Sequence, residues 1–347
     1  MSGVLRIIFI TFPRFLLHSG HRPRFDRAFC KKNCRAMMSI GNAGLGSHTR
    51  QADFRLCNVS GYMTELLEIE AENPKFHVLF IPGNPGIVTL YKDFVESLFG
   101  RLGGSASITA IGHISHTSKD WEQGRLFSLE EQIIHKMDFI DHKLQSRAVP
   151  IILVGHSIGS YITLEMFKRA PHKVIYCIGL YPFLAVDMQS AKQTTIRKIT
   201  ESPILSLMVS LLAAALALLR NQQLRLIIEK SLGKSWSVTA IEAGCTHLVK
   251  YHTIRNMLFM ARSEFAKLSE TPDWDFMRAK VEKIAFVFGE DDHWGPLSML
   301  EKISKQVPGV SLSIEREGHM HAFSCSEAGS LWAAQHVASL IKEHALT

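Results

Sequence analysis

The chain has 347 residues, 46% of them apolar, and 39 lysines and arginines against 32 acidic residues give it a net charge of +7. That length suits one large α/β domain plus an insertion, with ample room for a core, and the composition excludes a low-complexity chain. Six cysteines without pairing rhythm (Cys30, Cys34, Cys57, Cys177, Cys245, Cys325) exclude a disulfide framework and indicate a reducing compartment; Cys30 and Cys34 have no nearby partners for zinc.

The charge is unevenly placed. Residues 1–50 hold nine basic residues and one acid, Asp26, for a local +8; taking that from +7 leaves −1 for the remainder. The folded part therefore carries no electrostatic footprint for nucleic acid. The arm is Arg-rich with an apolar patch from Val4 to Leu17. It suits a transit peptide for a plastid or mitochondrion, or a segment lying on an anionic membrane surface. A disordered extension, or a mispredicted start upstream of Met37 or Met38, is the bland alternative.

Met63 to Ile69 alternates in part and predicts an early strand. Phe76-His77-Val78-Leu79-Phe80-Ile81 is nearly continuous in apolar character, as a buried parallel strand should be. Pro82-Gly83-Asn84-Pro85-Gly86 follows as a rigid turn. In serine hydrolases the loop after this strand supplies one oxyanion N–H and the residue after the nucleophile supplies the other, here Asn84 and Ile158. Ala106 to Ile114 is the next strand. Ser128-x-x-Glu131 predicts a capping box, opening a helix with Leu129, Ile133, Met137, Ile140 and Leu144 on one face.

Val149 to Leu153 then runs into Val154-Gly155-His156-Ser157-Ile158-Gly159, with a helical segment from Tyr161 to Arg169. Strand, Gly-x-Ser-x-Gly and helix together make a nucleophile elbow, with Ser157 at the tip of a strained turn. Val174 to Leu180 is a further strand. The alternation predicts an α/β fold with a mostly parallel sheet covered by helices on both faces.

From about residue 183 to 280 the alternation stops and a helical insertion is expected. Within it Ser202 to Leu219 carries no charge. As one helix this run spans roughly 27 Å, just short of a hydrocarbon core of about 30 Å. A single crossing would separate Ser157 from any acid and base that come later. The run is therefore expected to be a cap helix that touches lipid, with Leu212 and Leu216 on its lipid side and Lys192, Arg197, Lys198, Arg220 and Arg225 flanking it. A wholly buried cap helix is the alternative.

Lys283 to Gly289 is a late strand, followed by Glu290-Asp291-Asp292-His293. A triad acid belongs here, in the order Ser, Asp, His. Asp292 is preferred and Asp291 comes second. Val310 to Ile314 is the last strand, and both His319 and His321 stand where a base belongs. The Gly-His pair favours His319. A final helix carries Leu331, Ala334, Val337 and Ile341 on one face.

Three motifs occur together and in order: Ile81-Pro82-Gly83-Asn84-Pro85-Gly86, Gly155-His156-Ser157-Ile158-Gly159-Ser160-Tyr161 and His321-Ala322-Phe323. With them, roughly residues 60–345 resemble the lipid droplet-associated hydrolase family, and Gly318 to Ile341 resembles its plant members. The resemblance implies an α/β-hydrolase fold, association with lipid droplets and endoplasmic reticulum, and action on sterol esters or acylglycerols. It implies Ser157 as nucleophile, Asp292 as acid and His321 as base, which moves the choice away from His319. The chain departs from the pattern at His293, where the family often has proline, and in its basic arm.

The leading expectation is a serine ester hydrolase that works through an acyl-enzyme and needs no metal or organic cofactor. A droplet surface protein that uses the fold as a scaffold is one alternative. A soluble organellar esterase delivered by residues 1–50 is another.

Overall fold

The computed structural model describes residues 50–144, 149–232 and 236–345; residues 1–49 of the basic arm, with Cys30 and Cys34, lie outside the described residues. β1 (Asp53–Val59) and β2 (Tyr62–Ile69) form an antiparallel hairpin, and β3 (Phe76–Ile81) follows. α1 (Lys92–Arg101) leads to β4 (Ala106–Ile111), α2 (Leu129–Lys143) to β5 (Ile151–His156), and α3 (Ile158–Arg169) to β6 (Val174–Leu180). Helices then replace the alternation: α4 (Ala191–Glu201), α5 (Pro203–Ala217), α6 (Asn221–Leu232), α7 (Val238–Ala243), α8 (Tyr251–Leu268) and α9 (Trp274–Ala279). β7 (Ile284–Gly289), α10 (Leu297–Gln306), β8 (Ser311–Glu315) and α11 (Glu327–Ala345) complete the order.

The eight strands lie in the order β1-β2-β4-β3-β5-β6-β7-β8. β3 to β8 pair in parallel, and β2 is antiparallel to both β1 and β4. Period-2 geometry explains the continuous apolar strands. Val78 and Phe80 of β3 join a core on one face with Phe94 of α1 and Val337 of α11. Leu79 and Ile81 join the other core with Ile133 of α2, Ile162 of α3 and Ile303 of α10. A strand buried on both faces has no polar side to display. Each such side chain contributes about 1.5–3 kcal/mol relative to exposure.

β1 is absent from the sequence expectations for a physical reason. It is an edge strand, and its Phe54 and Leu56 point to solvent at 48% and 43% exposure while Cys57 and Val59 are buried. Its pattern does not separate an inner from an outer face. β4 stops at Ile111 rather than Ile114, because the chain leaves the sheet to bond the N–H of His113 to the carbonyl of Gly86. The capping box is formed: the Ser128 hydroxyl accepts from Glu131 N–H, and the Glu131 carboxylate accepts from Ser128 N–H at 2.8 Å. On α11 the buried face holds Ala334, Val337 and Ile341, but Leu331 is 41% exposed.

The apolar run forms one helix, α5, which takes up Pro203 to Ala217 of it. Ser202 is extended and caps α5, its hydroxyl accepting from Leu205 N–H, so that α4 and α5 meet at 93°. α5 alone is about 22 Å long. Among the described residues no single helix is long and apolar enough to cross a membrane. The sequence expectation chose the wrong side of this helix. Leu216 is buried, with Val209 and Ala213, against the core, and Leu212 is half-buried. The open face instead carries Ile204, Leu205, Leu207, Met208 and Leu211. Periodicity without charges marks an apolar helix but cannot say which stripe faces a neighbour; here α8 decides, because α5 packs against it.

Candidate active site

Ser157 sits between β5 and α3 with φ 55° and ψ −123°. A positive φ at a residue other than glycine costs of order 1–3 kcal/mol and persists only where packing over-determines it. Packing does so here. A Cβ on Gly155 would lie 2.3 Å from the Gly159 carbonyl oxygen, and one on Gly159 would lie 2.3 Å from that of Ile81. Strand, helix and the loop after β3 can therefore close together only with glycine at both positions. Ser157 N–H donates to Leu180 O at 2.9 Å, and its own carbonyl accepts from Phe183 N–H.

His321, in the loop between β8 and α11, has Nε2 2.8 Å from Ser157 Oγ. Its Nδ1 is 2.8 Å from Asp292 Oδ2. Asp292 follows β7 and is buried, and its Oδ1 accepts from Trp294 N–H at 2.9 Å. The neighbouring Glu290, Asp291 and His293 are exposed. His319 points elsewhere: its N–H donates to Glu315, and its ring lies against Trp332. Serine, imidazole and carboxylate thus form one hydrogen-bonded chain. Such a chain can take a proton from Oγ while the carboxylate holds the imidazole in a single tautomer.

The loop after β3 abuts this chain. A Cβ on Gly83 would lie 3.1 Å from Ser157 Cβ. Asn84 is therefore held beside Ser157, and Ile158 N–H stands at the first position of α3, where a helix offers no acceptor of its own. The Asn84 side chain reaches the other way, donating to Met257 O at 2.9 Å and to Glu264 Oε1 at 2.8 Å on α8. At the far end of the loop Gly86 N–H donates to His116 Nδ1 at 2.8 Å. Burial, with Lys136 nearby, pushes His116 down to about 3, so it remains an acceptor.

A second set of bonds ties the loops together. His156 Nε2 is 2.8 Å from the carbonyl oxygen of His321, so that nitrogen carries the proton. Its Nδ1 then accepts from the Tyr91 hydroxyl at 2.7 Å, and the Tyr91 oxygen accepts from Gly83 N–H at 3.1 Å. Burial and the charge of His321 hold His156 well below its ordinary pKa, so it stays neutral. Removing the hydroxyl leaves Gly83 N–H and His156 Nδ1 without partners, a cost of about 1–3 kcal/mol. Tyr91→Phe is expected to lower kcat by about 10-fold with little change in KM; a variant that loses only melting temperature would refute this link.

Ser157, Asn84 and His321 open into a mostly apolar cleft of about 730 Å³, a volume that includes the solvent at its open mouth. Its walls include Phe183, Ile196, Met257, Leu258, Phe265 and Trp294, so α4 and α8 roof the site. Glu264 is the sole carboxyl group among the lining residues, and burial, partly offset by the Asn84 hydrogen bond, pushes it up to about 8.

A profile of the family described as lipid-droplet associated hydrolase matches residues 74–324. The chain belongs to the lipid-droplet associated hydrolase family. The lipid droplet-associated hydrolase of Gallus gallus is 28% identical over 289 residues, covering 76% of this chain and 84% of the relative. The chain is also similar to the solved structure of DBJA, at TM-score 0.65 and 14% identity over 85% of this chain and 100% of the other. A soluble variant of monoglyceride lipase from Saccharomyces cerevisiae matches at TM-score 0.59 and 12% identity over 88% and 99%. These likenesses establish the α/β-hydrolase fold, and membership in the lipid-droplet associated hydrolase family makes the chain a hydrolase.

Four residues around the site escape a sequence reading: Tyr91, His116, His156 and Glu264. His156 had a local signal, since it adjoins Ser157 in the elbow. Tyr91, His116 and Glu264 had none, because each reaches the site from another element.

Proposed function

We propose that the protein is a serine ester hydrolase that cleaves lipid esters, acylglycerols or sterol esters, at the surface of a lipid droplet or of the endoplasmic reticulum. The observation that carries this reading is the Ser157–His321–Asp292 chain at the floor of an apolar cleft. Ser157 Oγ attacks the ester carbonyl carbon as His321 Nε2 takes its proton. The resulting oxyanion accepts from the N–H groups of Asn84 and Ile158. His321 returns the proton to the leaving alcohol as the C–O bond breaks, giving an acyl-enzyme. Water, deprotonated by His321, then attacks the acyl carbon and releases the carboxylic acid and free Ser157. Asp292 stays ionised and stabilises the imidazolium in both halves.

In this reading residues 51–347 are the hydrolase domain, and the helical stretch of about 183–280 is its cap. The open face of α5 supports a lipid surface as the working site. Ile204, Met208 and Leu211 are 72%, 60% and 54% exposed, and Lys198 and Arg220 lie exposed beyond the two ends of the apolar run. Contiguous apolar exposure of this kind marks a membrane or partner surface. The opposite face of α5 packs on α8, which lines the cleft, so the helix that would touch lipid backs directly onto the site.

The test uses the purified chain with emulsified trioleoylglycerol, emulsified cholesteryl oleate and a water-soluble butyrate ester. Hydrolysis of the butyrate and of at least one emulsion is expected; cleavage of none would end the ester reading. Replacing Ile204, Met208 and Leu211 together with Asp should reduce recovery with floated droplets by at least about tenfold. The butyrate rate should stay within roughly twofold, because exposed substitutions rarely disturb a core. Equal flotation of the variant would remove α5 as the contact.

A further inference from the structure

A carboxyl group is an unexpected lining for an ester cleft. Glu264 is 4% exposed, no lysine or arginine lines the cleft with it, and its hydrogen-bond partner is the Asn84 amide. A buried carboxyl without a cation is costly unless its hydrogen-bonding capacity is used. The Asn84 side chain spends both amide protons, on Met257 O and Glu264 Oε1, while its own Oδ1 is buried without a partner. Buried acceptors of that kind are uncommon and call for an explanation. Glu264, pushed up to about 8 by burial, is uncharged at neutral pH and has an O–H to give. The pair therefore has one unused donor and one unused acceptor.

We infer that Glu264 and Asn84 form a subsite for a free hydroxyl on the substrate, so that the preferred ester is one carrying an alcohol group close to the ester bond. A hydroxyl is a neutral group that can accept from Glu264 and donate to Asn84 Oδ1 at once, and among lipid esters it is the common one. An ether or a second ester oxygen only accepts. The subsite adjoins the reacting carbonyl, because Asn84 also carries the proposed oxyanion N–H. Among lipid esters this selects partial glycerides over triacylglycerols and sterol esters, which have no free hydroxyl. The inference rests on the ester hydrolase reading above and narrows its substrate class.

The experiment compares 1-monooleoylglycerol with propyl oleate, which has the same acyl chain and lacks both hydroxyls, in one mixed micelle. Wild type should favour the glyceride in kcat/KM by about 10-fold or more, because a site built to bond a hydroxyl rejects the analogue without it. Glu264→Gln keeps a donor and an acceptor and should preserve that ratio within about threefold. Glu264→Leu should bring the ratio toward one, whatever it does to both rates together. A wild-type ratio near one, or an unchanged ratio in Glu264→Leu, overturns the subsite while leaving ester hydrolysis standing. Binding of 1-O-octylglycerol against octyl propyl ether, read by tryptophan fluorescence, supplies an arm that needs no turnover. A Glu264-dependent preference for the diol with no cleavage of any ester would keep the subsite and overturn the ester hydrolase reading instead.

Discussion

Replacing Ser157 with alanine is expected to lower ester turnover by about four to six orders of magnitude. The same change should abolish labelling by a fluorophosphonate probe, which reacts with the wild-type hydroxyl. The size of the effect follows from the geometry. Oγ lies 2.8 Å from His321 Nε2, and among the described residues no other hydroxyl is bonded to that nitrogen. Water entering in place of Oγ would lack the covalent intermediate that splits one hard step into two easier ones. The alanine keeps the turn, since the close approach of Gly155 and Gly159 does not involve the Ser157 side chain. Melting temperature is therefore the control, and it should stay near wild type. Equal labelling of both proteins would place the nucleophile elsewhere and remove the acyl-enzyme mechanism.

The second large effect belongs to the acid. Asp292→Asn should cost about 10⁴-fold in kcat, while Asp291→Asn stays within about threefold because that side chain is exposed and it is Asp292 that bonds the imidazole. The sign comes from hydrogen-bond direction. Asp292 Oδ1 accepts from Trp294 N–H, which would orient an asparagine with its oxygen at that position and its NH₂ toward His321 Nδ1. The imidazole would then place its own proton on Nε2, facing Ser157 Oγ, and could no longer accept from it. Steady-state rates on a soluble ester read both variants. The parallel pair His321→Ala and His319→Ala should divide in the same way, since His319 faces Trp332 and Glu315. Comparable losses at Asp291 and Asp292 would break the assignment.

How far the fold could be read depends on how local each signal is. Phe76 to Ile81 announced a buried parallel strand because both of its faces meet helices, and the Ser128–Glu131 box announced a helix start within four residues. β1 gave no such notice, because an edge strand needs neither face to be uniformly apolar. The uncharged run from Ser202 to Leu219 announced a helix but concealed its orientation. Ser202, as the cap, fixes where α5 begins, but the orientation depends on α8, which is more than thirty residues away.

The candidate site divides along the same line. Ser157 was legible because strand, Gly-x-Ser-x-Gly and helix are contiguous, and the backbone strain at the serine is a property of that short stretch. Local pattern preferred Asp292 to Asp291 and, through the Gly-His pair, His319 to His321; family resemblance moved the second choice to His321. Adjacent carboxylates, or two histidines two residues apart, have the same composition and nearly the same surroundings in the chain. Tyr91 and Glu264 lay beyond any pattern. By itself, then, the sequence determined most of the sheet, the elbow and the segments that carry the candidate acid and base, since these rest on periodicity and turn chemistry among neighbours. Tertiary structure alone showed which histidine meets the preferred carboxylate, which face of α5 stays open, and that a buried carboxyl borders the loop after β3. Each of those outcomes depends on a few ångströms between residues as many as 180 positions apart, a distance that no local regularity encodes.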